Sequence, residues 1–115
     1  VPDTSTALLE YVVTENNTYL FVVTTEKAAK TRKNERPATI ELRVYPLEVR
    51  NYELTSKVRQ LEQQISERSP DYAALTRELY DLLIKPADDQ IVLKTKLVVV
   101  PDGVLWRLPF EALQR

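Results

Sequence analysis

Asp88-Asp89 places two carboxylates side by side, a pattern that could hold a divalent cation or divide acid–base work between two groups. Nothing else in the sequence converges on the pair. Carboxylates that follow an apolar helical stretch are ordinarily solvated, so no metal, no cofactor and no catalytic residue is assigned there. Asn16-Asn17-Thr18 spells an N-glycosylation acceptor. Asn also tolerates the left-handed conformations of short turns, and a turn is the reading adopted. Lys27 to Pro37 carries five basic residues and one acid, enough charge to contact phosphates. No aromatic side chain is interleaved for base stacking, so the segment reads as a solvated connection and no nucleic-acid partner is expected. The absences weigh more than these patterns. With no histidine and no cysteine, these residues alone cannot form a Cys–His or Ser–His catalyst, nor a disulfide.

Composition narrows the class further. The 115 residues are 43% hydrophobic and 29% charged, the balance of an ordinary water-soluble domain with a modest core. A net charge of −1 creates no general field toward nucleic acid or anionic lipid. No run approaches the roughly eighteen apolar residues that a membrane span needs, and no leader pattern opens the chain. A cytoplasmic location without membrane contact is expected. Methionine is absent and the chain opens on Val1, so residues 1–115 read as one partial domain, cut at both ends from a larger protein.

Two opening segments, Ala7 to Thr14 and Thr18 to Thr25, are rich in β-branched and aromatic residues. With Glu15-Asn16-Asn17 between them they predict an antiparallel hairpin, the second strand interior to a sheet. Ala38 to Tyr45 alternates, with Ile40, Leu42 and Val44 on one side and Glu41, Arg43 and Tyr45 on the other. That pattern predicts a third strand whose aliphatic side meets a core and whose polar side meets water, ended by Pro46. Leu54, Val58, Leu61 and Ile65 form one apolar helical stripe, and Tyr72, Leu75, Leu79, Leu82 and Leu83 form a second. Ser69 and Pro70 suit the cap and first position of that second helix, giving a helical hairpin. Ala87 to Thr95 reads as a loop. Leu97 to Val100 is a continuous apolar run, the mark of a strand buried on both faces. Pro101-Asp102-Gly103 follows, and Gly103 is the single glycine of the chain. It predicts a turn requiring positive φ. Val104 to Trp106 reads as a short extended piece, and Leu108 to Leu113 as the start of a helix with Pro109 in its first turn.

These segments share an order with a known family. Leu79-Tyr80-Asp81-Leu82-Leu83-Ile84-Lys85-Pro86, the strand Leu97–Val100, Pro101-Asp102-Gly103 and Leu108-Pro109-Phe110-Glu111-Ala112-Leu113 follow one another as in a CHAT domain. The opening Thr6-Ala7-Leu8-Leu9-Glu10-Tyr11 and the strand Tyr19 to Val23 resemble its beginning. The chain, from about residue 6 to residue 113, is thus similar to the N-terminal part of this caspase-like domain, which is found beside tetratricopeptide repeats. The resemblance implies an α/β fold, the front of a three-layer sandwich around a mostly parallel sheet. It also implies the architecture of clan CD cysteine peptidases and a His–Cys dyad, thiol as nucleophile and imidazole as base. Both dyad motifs belong downstream of the position matching Leu113, so no catalytic residue carries over. Gly103, Leu108, Pro109, Phe110 and Leu113 match as structural residues.

Two functions are open at this point. One is a scaffold fragment of a bacterial-type CHAT peptidase domain, inactive alone. Its partners would be the rest of its own domain, upstream tetratricopeptide repeats and a protein substrate of the parent. The alternative is a small non-enzymatic interaction module that uses the helical hairpin and a sheet edge.

Overall fold

The computed structural model describes residues 4–26 and 39–113. The basic segment Lys27 to Pro37 lies outside these residues, as does the chain end at Arg115.

Strands β1 (Thr6–Val13) and β2 (Thr18–Glu26) form the antiparallel hairpin, registered Val13↔Thr18 through Ala7↔Thr24. Thr14 and Asn17 close its turn. The Thr14 N–H donates to the Asn17 carbonyl at 2.8 Å, and the Asn17 N–H donates to the Thr14 hydroxyl at 3.1 Å. β3 (Thr39–Leu47) pairs antiparallel with β2, which makes β2 interior as its composition predicts. β4 (Lys96–Val100) pairs parallel with β1, from Thr6↔Lys96 to Glu10↔Val100. The spatial order is β3-β2-β1-β4, a mixed sheet with β3 and β4 at its edges.

Between β3 and β4 lie α1 (Asn51–Ser66), α2 (Tyr72–Leu83) and the short α3 (Asp88–Ile91). Leu54, Val58 and Leu61 of α1 and Leu75, Leu79 and Leu83 of α2 are buried in one cluster with Ala7, Leu9 and Tyr11 of β1 and Leu20 and Val22 of β2. Side chains alternate across a strand. All these strand residues therefore share one face, and the helices cover that face. The fold is α/β, a four-stranded mixed sheet with helices, consistent with part of a caspase-like domain.

Several local expectations are corrected. Pro46 does not end β3, which runs on to Leu47 with Pro46 opposite Tyr19. An edge strand tolerates proline because a missing N–H on its outer side breaks no ladder bond. The alternation of β3 is real, but its faces are reversed. Ile40, Leu42 and Val44 are 54%, 60% and 48% exposed, whereas Tyr45 reaches the helix side and Leu47 is buried there. Register with β2 sets this facing, with Tyr45 opposite the buried Leu20 and Leu47 opposite the buried Thr18, and Gln90 reinforces it. This residue is a buried amide on α3 whose Nε2 donates to the Val22 carbonyl, the Thr24 hydroxyl and the Glu41 carbonyl, while its Oε1 accepts from the Tyr45 hydroxyl at 2.7 Å. Ala87 to Thr95 is thus no simple loop, since it contains this helix with Gln90 and Ile91 buried.

The end of α1 is also unexpected. Arg68 holds φ 54, and the Ser69 N–H donates to the Gln64 carbonyl at 2.8 Å while the Arg68 N–H donates to that of Ile65 at 3.1 Å. This is a Schellman ending with arginine where glycine is usual. Ile65, near the end of α1, is 44% exposed and lies outside the core. The turn delays α2 to Tyr72, with Asp71 at its cap position and the Ser69 hydroxyl accepting the Asp71 N–H. Tyr72 is itself exposed. Gly103 to Arg107 winds as 3₁₀ helix, not extended strand, and Leu108 to Leu113 contributes only a 3₁₀ turn over Phe110–Ala112.

Candidate functional site

Open α/β sheets place their sites outside the carboxyl ends of parallel strands, and here that edge is built by the Pro101-Asp102-Gly103 corner. β4 ends at Val100 beside the end of β1. Asp102 Oδ2 accepts the Val13 N–H at 2.8 Å, which locks the corner to β1. Gly103 has φ 56, the left-handed conformation predicted from its sequence context. A Cβ added there would meet Val13 at an ordinary 3.9 Å, so backbone conformation, not space, requires glycine. From this corner Leu105 and Leu108 turn inward and are buried, while Trp106 stands 70% exposed. Arg107 pairs with Glu62 of α1, its Nη2 at 3.1 Å from Glu62 Oε1.

Tyr11 completes the support beneath the corner. Its ring lies 5.5 Å from that of Phe110, and its hydroxyl donates to the Leu83 carbonyl at 2.7 Å in a buried contact. One side chain therefore joins β1, the end of α2 and the Leu108–Leu113 segment. Burial raises the Tyr11 pKa well above that of a free tyrosine, because the tyrosinate would lose its hydration. A pocket of about 340 Å³ lies alongside, lined by Ile84, Leu97, Val99, Phe110 and Glu111. It is mostly apolar, and Glu111 is the one ionisable side chain in its lining. A more polar groove of about 790 Å³ runs along α1 beside Glu15 and Asn16, and no catalytic set gathers there either.

The residues singled out by chemistry do not assemble. Asp88 and Asp89 occupy the first turn of α3, where Asp88 Oδ1 accepts the Tyr80 hydroxyl at 3.1 Å. Among the described residues no group of three His, Cys, Asp or Glu side chains could hold a metal ion. Asn16 and Asn17 sit in the exposed hairpin turn. Thr18, whose hydroxyl an acceptor triplet requires, is 1% exposed and donates to the Val49 carbonyl at 2.7 Å. Gln90, Tyr11 and the Asp102–Val13 link carry the architecture, and no spacing pattern announced them. Among the described residues no helix is long and apolar enough to cross a membrane.

The class these features define is an α/β domain with a mixed sheet and a tight corner after its parallel edge strand. A family model of the CHAT domain matches residues 73–115, from the start of α2 through that corner to the last residue. This C-terminal part of the chain is similar to the CHAT domain. The strands β1 to β3 and α1, which the wider resemblance included, lie outside the match. No curated protein and no solved structure matches the chain.

Proposed function

We propose that the chain is the scaffold part of a CHAT-type, caspase-like cysteine peptidase domain, one that contributes the sheet, its helical cover and the corner but no catalytic dyad. The observation that carries this reading is the sheet itself, whose second face is uncovered and, apart from Glu10 and Lys96, largely apolar, although the CHAT-matched corner sits at its edge. A parallel strand pair is normally covered by helices on both faces. β4 is apolar in the manner of a strand buried on both sides, yet Leu97, Val98 and Val100 remain about two-fifths exposed. On this reading the sequence pattern of β4 reports the complete domain. The missing layer, the His and the Cys come from further polypeptide of the parent, a cytoplasmic protein that also carries tetratricopeptide repeats.

The test is peptidase activity. The 115-residue chain incubated with a quenched fluorescent peptide library is expected to cleave nothing. The product of the full reading frame is expected to cleave some members, and to lose that activity on thiol alkylation. Cleavage by the short chain, or a full product inert toward every peptide and alkylating agent, would refute the peptidase assignment. The interaction-module alternative draws support from the same uncovered face. It draws less from the helical hairpin, whose residues Leu54, Val58, Leu61, Leu75, Leu79 and Leu83 are spent inside the core.

A further inference from the structure

Arg68 holds φ 54 just past the end of α1, where glycine closes the same kind of turn without strain. Glycine would serve the backbone better, so what the position keeps is the arginine side chain. The helix dipole does not account for it. A cation anywhere in the last turn of α1, which carries none, would complement the dipole at ordinary φ. An ion pair does not account for it either, since the guanidinium takes part in none among the described residues. Arg68 instead borders a pocket of about 440 Å³ whose lining is otherwise Gln64, Ile65, Ser69, Pro70 and Tyr72, and it is the one charged residue there. Ile65 and Tyr72, two large side chains whose spacing suits the helical stripes, stand exposed in that lining. Gln64 adds a polar need. Its Oε1 is buried and meets no donor among the described residues, and a buried acceptor left unpaired is costly.

We infer that this pocket is a docking site for a linear peptide segment of another protein, one that presents a large apolar side chain followed by a single Asp or Glu. The unmet groups define that ligand. The apolar side chain lies on Ile65, Pro70 and Tyr72 and removes their exposed surface from water. The carboxylate pairs with the Arg68 guanidinium, whose planar fork matches it. A backbone N–H of the segment donates to Gln64 Oε1, which the soft terminal torsion of glutamine turns toward the pocket. One acid suits the site better than an acidic run, because Glu67 and Asp71 flank Arg68 in sequence and repel further negative charge. A free phosphate or a nucleic-acid backbone would leave the apolar lining unused. The site stands apart from the peptidase reading. Every lining residue belongs to the end of α1, the start of α2 or the turn between them, and none lines the pocket beside the corner.

The test uses short fluorescein-labelled peptides of Gly and Ser carrying a central Phe-Asp, Phe-Asn or Ala-Asp pair. Each is titrated with the 115-residue chain, and with the full reading-frame product, and followed by anisotropy. The Phe-Asp peptide is expected to bind about three- to tenfold tighter than either of the others at low salt. Arg68→Gly is the decisive variant. It is expected to raise the urea midpoint, because glycine relieves the turn, and yet to reduce the Phe-Asp peptide to the affinity of Phe-Asn. Arg68→Lys is expected to keep the preference for the acid. Gln64→Leu is expected to weaken Phe-Asp and Phe-Asn by the same factor without lowering the urea midpoint, since it removes the orphan acceptor along with the partner of the peptide N–H. Equal binding of Phe-Asp and Phe-Asn, binding of no peptide by either protein, or unchanged binding by Arg68→Gly would overturn the inference. A dimer of the chain that Arg68→Gly disperses would overturn it too, by assigning the pocket to a second copy.

Discussion

Replacing Tyr11 with phenylalanine isolates one hydrogen bond and one ionisation in a single experiment. The ring, and with it the contact to Phe110 at 5.5 Å, is kept. What is lost is the donor to the Leu83 carbonyl at 2.7 Å. Leu83 closes α2, so its carbonyl has no next helical turn to receive it. A buried hydrogen bond contributes about 0.5–1.5 kcal/mol net, and an orphaned carbonyl can raise the loss toward about 3 kcal/mol. Tyr11→Phe should therefore cost about 1–3 kcal/mol at neutral pH, read as the change in urea midpoint at unchanged m-value. The pH dependence is a second signature. Burial raises the folded-state pKa of Tyr11 above its unfolded value near 10. The protonated phenol is the form the fold holds, so its contribution is complete below pH ~10 and is lost as pH rises further. Between the two pKa values the unfolded chain releases a proton that the native chain keeps. The native protein then loses about 1.4 kcal/mol per pH unit that the variant does not. The two stability curves should converge above pH ~10. Equal stability at neutral pH, or parallel alkaline limbs, would refute the reasoning.

Other predictions concern the turns and the buried amide. Gly103→Ala should destabilise by about 1–2 kcal/mol, because its φ of 56 is strained for any L side chain, and denaturant titration will show it. Arg68→Gly should do the opposite and stabilise by about 0.5–1 kcal/mol, since Arg68 holds φ 54 in the Schellman turn. Gln90→Leu should cost about 2–4 kcal/mol, because it strips partners from the Val22 and Glu41 carbonyls and from the Thr24 and Tyr45 hydroxyls. Amide exchange in β3 should rise more than in β1. Asp102→Ala should cost about 1–2 kcal/mol by leaving the Val13 N–H without its acceptor, with Asp102→Asn recovering part of the loss.

The strands, the two long helices and the Gly103 turn were legible because each has a periodicity or a residue type with a local physical cause. The β1–β2 hairpin followed from the short connection between its strands. What the sequence could not reveal is set by tertiary contacts. The aliphatic side of β3 looks like a core face, and in a complete sandwich both faces would be core. Register with β2, which sets Tyr45 beside the buried Leu20, places the other side of β3 toward the helices, where Gln90 meets it. Ile65 fits the α1 stripe in spacing, yet it is 44% exposed because no core residue covers the last turn of the helix, and an arginine in place of glycine hid the Schellman turn that follows. The Leu97–Val100 run advertises two covered faces, whereas Leu97, Val98 and Val100 are 42%, 41% and 39% exposed. For the candidate site, the corner was legible through its proline and glycine. Its buttress, Tyr11, was not, since an aromatic in a strand has no signature for the carbonyl it will meet 72 residues away.

The measurement that bears most directly on the central claim is the sequence of the parent reading frame past Arg115. The account predicts a histidine beside glycine after one further buried strand and a cysteine after the next, with helical segments between them able to cover the second face of the sheet. A frame that continues without either residue would leave a caspase-like scaffold without peptidase chemistry, contradicting the proposed activity. A stop codon soon after Arg115 would contradict the domain reading itself.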